Sequence, residues 1–203
     1  MTKRLLRALI LLGFALVICS CSTVGSTLIF TENDIEDHPN LIVNNSFGVY
    51  STIPSEALKG WNVHLEPPNS LFSPVIIDPR EMLDGQTSLR IDASDKAVLI
   101  LSDPFTVRRY GGYYLRSYCK TDSPNPPRVQ LRFIVFKENG KIVNRFKQKT
   151  LPTSQWGRST ISAGFIRPGA RFGRLGIFIP PFKGASIWID DTGCFEVHGF
   201  KID

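Results

Sequence analysis

Apolar residues fall at every second position through most of this 203-residue chain, the spacing that sends alternate side chains to opposite faces of a strand. "TSLRI", "AVLIL", "YYLRSYCK", "VQLRFIVF", "GKIVNRFK", "GRSTISA", "FGRLGIFI" and "SIWID" all read this way, each bounded by Gly, Pro, Asn, Asp or Ser. Only "SEALKG" and "DPREML" leave room for a helical turn, and Asn139-Gly140 marks a hairpin tip. Many short strands joined by long crossover loops predict an all-β fold, an antiparallel β-sandwich of the jelly-roll kind. One strand breaks its own pattern. In "SIWIDDTGCFEV" the positions Ile187, Ile189, Asp191, Gly193, Phe195 and Val197 share a face, which places a carboxylate on an otherwise apolar side.

The amino-terminal pattern is different. Lys3, Arg4 and Arg7 precede the apolar run "ALILLGFALVI", which is short for a membrane span and is the form of a secretory signal. The "ICSC" that follows resembles the lipobox of bacterial lipoproteins, with Cys21 after small Ser20 as the modified residue; an ordinary signal or an uncleaved anchor with incidental cysteines is the alternative. The resemblance implies removal of residues 1–20, acyl chains such as palmitate on Cys21 and a stable anchor on the membrane. Ser22, rather than an aspartate, implies the outer membrane, or the cell membrane where there is only one. Residues 21–39 then read as the lipidated cysteine and a polar tether, with "TLIF" a candidate first strand, and residues 40–203 as one domain with one core.

Charge and cysteine content narrow the classes. Without Lys3, Arg4 and Arg7 the chain carries 21 basic against 18 acidic residues, a mild excess that, with no recognition motif, gives no support for nucleic-acid binding. Cys119 and Cys194 are one pair in an oxidising compartment. A disulfide between them would close a 75-residue loop, worth about 4 kcal/mol if the geometry allows; otherwise they are two small strand residues.

"NLIVNNSF" (Asn40 to Phe47), "GW" (Gly60, Trp61), "GQTSLRI", "YYLRSYCK", "SQWGRSTIS", "IRPGARFGRLGIFI" and "IWIDD" occur in an order that resembles carbohydrate-binding modules of the cellulose- and xylan-binding type, within the galactose-binding-like fold. The likeness spans nearly all of residues 40–198. It implies a glycan-binding domain and a structural calcium that ties the last strand to the first, with Asp191, Asp190 and Asn44 as ligands. Gly48 stands where many members have an acidic residue. Without calcium, Asp191 needs backbone N–H groups or an arginine at the strand end.

Sugar binding calls for a flat aromatic ring with polar neighbours. Trp188 and the alternating Tyr114, Arg116 and Tyr118 are the candidates, with a solvated strand face as the competing reading; the resemblance implies that Trp61 and Trp156 occupy positions that mostly pack as core. Arg108, Arg109, Arg128, Arg132, Arg167, Arg171 and Arg174 make an anionic glycan conceivable, lipopolysaccharide or a charged polysaccharide. No catalytic motif appears. His38, His64 and His198 lack metal-ligand spacing, and nothing pairs two of Glu66, Asp78, Glu81 and Asp84. The expected function is non-catalytic glycan binding by an envelope lipoprotein. The alternative is a structural or assembly component of the envelope that uses the sandwich to bind a protein partner.

Overall fold

A computed structural model describes residues 28–48, 58–67 and 73–199. The signal segment, Cys21 and the first part of "SEALKG" lie outside the described residues. Among the described residues, eleven strands follow a single 3₁₀ turn at Glu32–Ile35. They are β1 (Trp61–Glu66), β2 (Val75–Asp78), β3 (Ser88–Ser94), β4 (Ala97–Ser102), β5 (Phe105–Thr106), β6 (Gly111–Thr121), β7 (Val129–Phe136), β8 (Ile142–Thr150), β9 (Gly157–Ala163), β10 (Phe172–Ile179) and β11 (Phe182–Gly199).

All pairings are antiparallel, and they build two sheets. The first has the order β1-β4-β10-β7-β8, with β5 on β10; the second has the order β2-β3-β11-β6-β9. The jelly-roll β-sandwich expected from the strand spacing is therefore the fold. Strict alternation drives it: Val129, Leu131, Phe133 and Val135 of β7 are buried, while Gln130, Arg132, Ile134 and Phe136 between them are only partly covered. The buried residues meet Leu175, Ile177 and Ile179 of β10, and Leu89, Ile91, Leu115, Ile187 and Ile189 from the other sheet, in one core.

Local chemistry shapes the connections. At the β7–β8 hairpin Gly140 takes φ +78° while Asn139 Oδ1 accepts the Lys141 N–H at 3.1 Å, so the turn has a single left-handed residue. "NLIVNNSF" and "GW" meet where the Phe47 and Trp61 rings lie 5.2 Å apart and the Trp61 indole donates to the Asn44 carbonyl at 3.0 Å. "DPREML" forms no helical turn: its last backbone N–H is drawn to a carboxylate of β11 instead.

The amino-terminal segment departs most from expectation. From Leu28 it packs on the second sheet. The Phe30 N–H donates to Ser162 Oγ at 3.0 Å, and Ile35 is buried against Tyr114 and Phe195. This strap explains why Gly111 through Leu115 are buried on both faces of β6, where alternation alone leaves one face open.

Candidate functional site

The carboxylate expected to face the core is the neighbouring one. β11 carries a bulge between Asp190 and Gly193, and Asp191 sits in it at φ +40°. The extra residue shifts the period, so Asp190 is fully buried while Asp191 turns outward. Asp190 Oδ2 accepts the N–H groups of Leu83 at 2.7 Å and Asp84 at 3.0 Å, and Oδ1 accepts that of Asp191 at 2.7 Å. Burial pushes this carboxyl above its usual value, and the three N–H donors offset part of the rise. Asp191 Oδ1 instead takes Arg116 Nη2 at 2.8 Å. The two partners open to Asp191 without calcium are thus divided between two adjacent residues.

These groups do not fit a calcium cage. Both Asp190 oxygens are engaged by N–H donors, Asp191 holds a guanidinium, and Asn44 directs its amide to the Lys59 carbonyl at 3.2 Å. Among the described residues no three His, Cys, Asp or Glu side chains gather to hold a metal. The tie between the last strand and the amino-terminal segment is made by Asn40. Its Oδ1 accepts the N–H groups of Ile42 and Cys194, both at 3.0 Å, and its Nδ2 donates to the Thr192 carbonyl at 3.2 Å. The Thr192 N–H reaches the Asn45 carbonyl at 2.9 Å. Protein donors occupy the place the family resemblance gives to an ion.

Of the two readings of the cysteine pair, the structure shows separate strand residues and no disulfide between them. Cys119 and Cys194 are buried free thiols, and the β6–β11 register sets Cys119 opposite Ile189 but Cys194 opposite Leu115. Four residues of offset is about 13 Å along a strand, beyond bridging distance. Burial pushes the Cys119 thiol up to about 11 and the Cys194 thiol well above its usual range.

The expected sugar face lies on the second sheet and is largely filled. Tyr114 is 3% exposed and donates to Glu32 at 2.8 Å, and desolvation with the adjacent carboxylate pushes its hydroxyl up to about 12. Arg116 bridges Glu32 at 2.6 Å and Asp191. Arg158 adds a further bond to Glu32 at 2.8 Å. Burial opposes the Glu32 charge, but the Tyr114 and Arg116 hydrogen bonds and the two arginines outweigh it and hold the carboxyl below its ordinary value. Tyr118 stays partly open beside this network. Trp188 is buried, with its indole donating to Asp78 at 3.0 Å and Lys120 lying 5.4 Å from its ring centre. Tyr114 and Trp188 are therefore not platforms open to a sugar.

Three of the four carboxylates weighed for catalysis have structural partners. Asp78 meets Trp188 and Arg90, Glu81 bonds Lys120 at 2.5 Å, and Asp84 accepts from Ser46 at 2.9 Å. Burial works against ionised Asp78, yet the Trp188 indole, the Arg80 N–H and Arg90 hold it low.

The outer face of the first sheet has the opposite character. The register brings Lys147, Arg132, Gly176 and Leu101 into one row, with Lys149, Gln130, Phe178 and Leu99 beside it. The Arg132 guanidinium carbon stands 4.0 Å from the Phe178 ring centre, and Gln130 Oε1 fixes its plane by accepting from Nη2 at 3.0 Å and Nε at 3.3 Å. Gly176 keeps the row low, since a Cβ there would meet Leu101 at 3.0 Å. A shallow groove of about 330 Å³ runs between Arg132, Arg145 and Lys147. Among the described residues none of Arg132, Arg145, Lys147 or Lys149 has a carboxylate within 4 Å, whereas Arg90, Arg116, Lys120 and Arg158 on the other sheet are all paired. Arg132 is legible in the sequence only as one of seven candidate arginines; the pairing of sheets selects it.

Solved structures share the fold. The chain is similar to the second family 16 carbohydrate-binding module (15% identity, 77% of this chain and 100% of that one, TM-score 0.56). It is also similar to the CBM22-1 xylan-binding domain from Paenibacillus barcinonensis (14%, 80% and 97%, 0.52). The enzymatically active domain of tailspike protein 4 from bacteriophage CBA120 matches at 12% identity and TM-score 0.62 over 77% of this chain, which spans only 21% of that one. The fold is thus a carbohydrate-binding-module-like jelly roll. No protein-family model and no curated protein matches the sequence.

Proposed function

We propose that this chain is a lipid-anchored, non-catalytic domain that binds an anionic polysaccharide on the outer face of the β1-β4-β10-β7-β8 sheet. One observation carries the reading: a guanidinium 4.0 Å over the Phe178 ring, among cations that have no carboxylate within 4 Å among the described residues, Glu66 acting on Arg132 only from farther away. Unpaired cations attract polyanions, and a planar guanidinium matches a carboxylate or sulfate through two parallel hydrogen bonds. Leu99, Leu101 and Phe178 supply apolar surface for sugar rings. The carbohydrate-binding modules of similar fold support a glycan as the ligand class, and the structural engagement of Asp78, Glu81 and Asp84 supports binding without chemistry. Cys21 supplies the anchor, with Ser22 directing it to the outer membrane.

Affinity electrophoresis in gels containing anionic or neutral polysaccharides tests this. Anionic gels retard the wild type, Arg132→Ala loses about tenfold or more in affinity, Phe178→Ala weakens it too, and added salt reduces it. Equal retardation by neutral glycans, or unaltered binding by Arg132→Ala, refutes the site. Failure to bind any glycan refutes the function and favours a protein partner. Mass spectrometry that finds residues 1–20 attached and no acyl chain refutes the anchor.

A further inference from the structure

Three loops at one end of the sandwich form a basic cluster. At the end where β6 begins, three loops converge: 103–110 after β4, 137–141 between β7 and β8, and 164–171 between β9 and β10. They carry Arg108, Arg109, Lys137, Lys141, Arg167 and Arg171 against Asp103 and Glu138. Arg108 is paired with Glu196 at 3.3 Å; among the described residues the other five cations have no carboxylate within 4 Å. Arg108, Arg109 and Arg171 line one notch of about 630 Å³. At the opposite end Glu66, Asp95 and Asp122 balance Lys96, Arg128 and Lys183.

Apolar groups project from the same end. Phe165 is 47% exposed and packs at 5.2 Å on Tyr110. Both take left-handed backbone, φ +59° and +61°, unusual for bulky side chains. The Tyr110 N–H bonds to the Ile166 carbonyl at 2.7 Å, locking the two loops together. The described chain enters here as well. Phe30 is held by Ser162, three residues before Phe165, its ring filling the space over Gly112, and Ile29 is 78% exposed.

We infer that this end of the sandwich docks on a bilayer surface through anionic lipid headgroups, with Phe165 and Ile29 entering the interface. The inference rests on the proposed anchor at Cys21. Six residues lie between Cys21 and Leu28, seven Cα–Cα steps and a reach of about 25 Å at most, so the lipid chains hold this end, not the opposite one, near the headgroups. Cations at that distance feel the anionic surface potential, and a ring beside them partitions into the interface.

The full lipidated chain is reconstituted in vesicles of phosphatidylcholine alone or mixed with phosphatidylglycerol, and backbone hydrogen exchange is followed. On the mixed vesicles exchange in loops 107–110 and 164–171 slows, by about tenfold or more in low salt. The slowing disappears on phosphatidylcholine, in roughly 0.5 M salt and in the Arg109→Glu/Arg167→Glu variant, whose melting temperature stays that of the wild type. Unchanged exchange on mixed vesicles overturns the docking while salt-resistant retention still supports the anchor. Release of the protein by salt from both vesicles refutes the anchor, and loop protection before that release supports the docking on its own. Equal slowing by a soluble anionic glycan without vesicles overturns the lipid assignment.

Discussion

Replacing Asp190 by alanine strips a buried acceptor from three backbone N–H groups, those of Leu83, Asp84 and Asp191. A buried donor left unpaired costs about 1–3 kcal/mol. Leu83 is 41% exposed, so water can reach part of that loop, and a total near 3 kcal/mol is expected. For a chain of this size each kcal/mol lowers the melting temperature by about 2–4 °C, giving a drop of about 6–12 °C. Asp191→Asn tolerates the same left-handed backbone and still offers an oxygen to Arg116, which keeps its bond to Glu32; its cost is about 1 kcal/mol or less. Thermal unfolding of the two variants, with added calcium and with chelator, decides the matter. An Asp191→Asn loss equal to or larger than the Asp190→Ala loss refutes the bulge argument. A wild-type melting temperature several degrees higher in calcium than in chelator shows a cation on these carboxylates and refutes the hydrogen-bond account.

Two other outcomes follow from the strap and the thiols. Glu32→Ala leaves Tyr114, Arg116 and Arg158 without their shared acceptor, so hydrogen exchange in residues 30–38 should accelerate severalfold while the β7 core strand is unaffected. Because the Glu32 carboxyl is held below its ordinary value in the fold, its contribution is complete above about pH 4.3 and is lost as the pH falls through the lowered value; strap protection unchanged on acidification refutes the pairing. Cys119 and Cys194 should resist thiol reagents at pH 8 until the protein is unfolded, and reducing agent should not alter the melting temperature. Rapid labelling or a reduction-dependent melting temperature contradicts their burial as free thiols.

The succession of strands along the chain and the faces they present were open to reading because alternation is a local property. Val129 to Phe136 shows which residues are inward without any knowledge of a partner strand. Gly140 and the jelly-roll class follow from similarly short-range signals, whereas the core position of Trp61 follows from the family resemblance. The strand pattern left Asp191, or Asp190 if a bulge shifts the register, as the inward group; the extra residue in β11 selects Asp190, and Asn40, more than 150 positions away, hydrogen-bonds to the bulged strand. Alternation likewise put Tyr114 and Arg116 on one face of β6 but carried no sign that Glu32 and Ile35 fold back over it. The separation of Cys119 from Cys194 depends on strand register, and the stack of Arg132 on Phe178 depends on β7 lying beside β10. A sequence states which side of its own strand a residue takes. Which groups then meet, and whether a buried charge finds a partner, is set by strand pairing and chain closure, which only the tertiary structure contains.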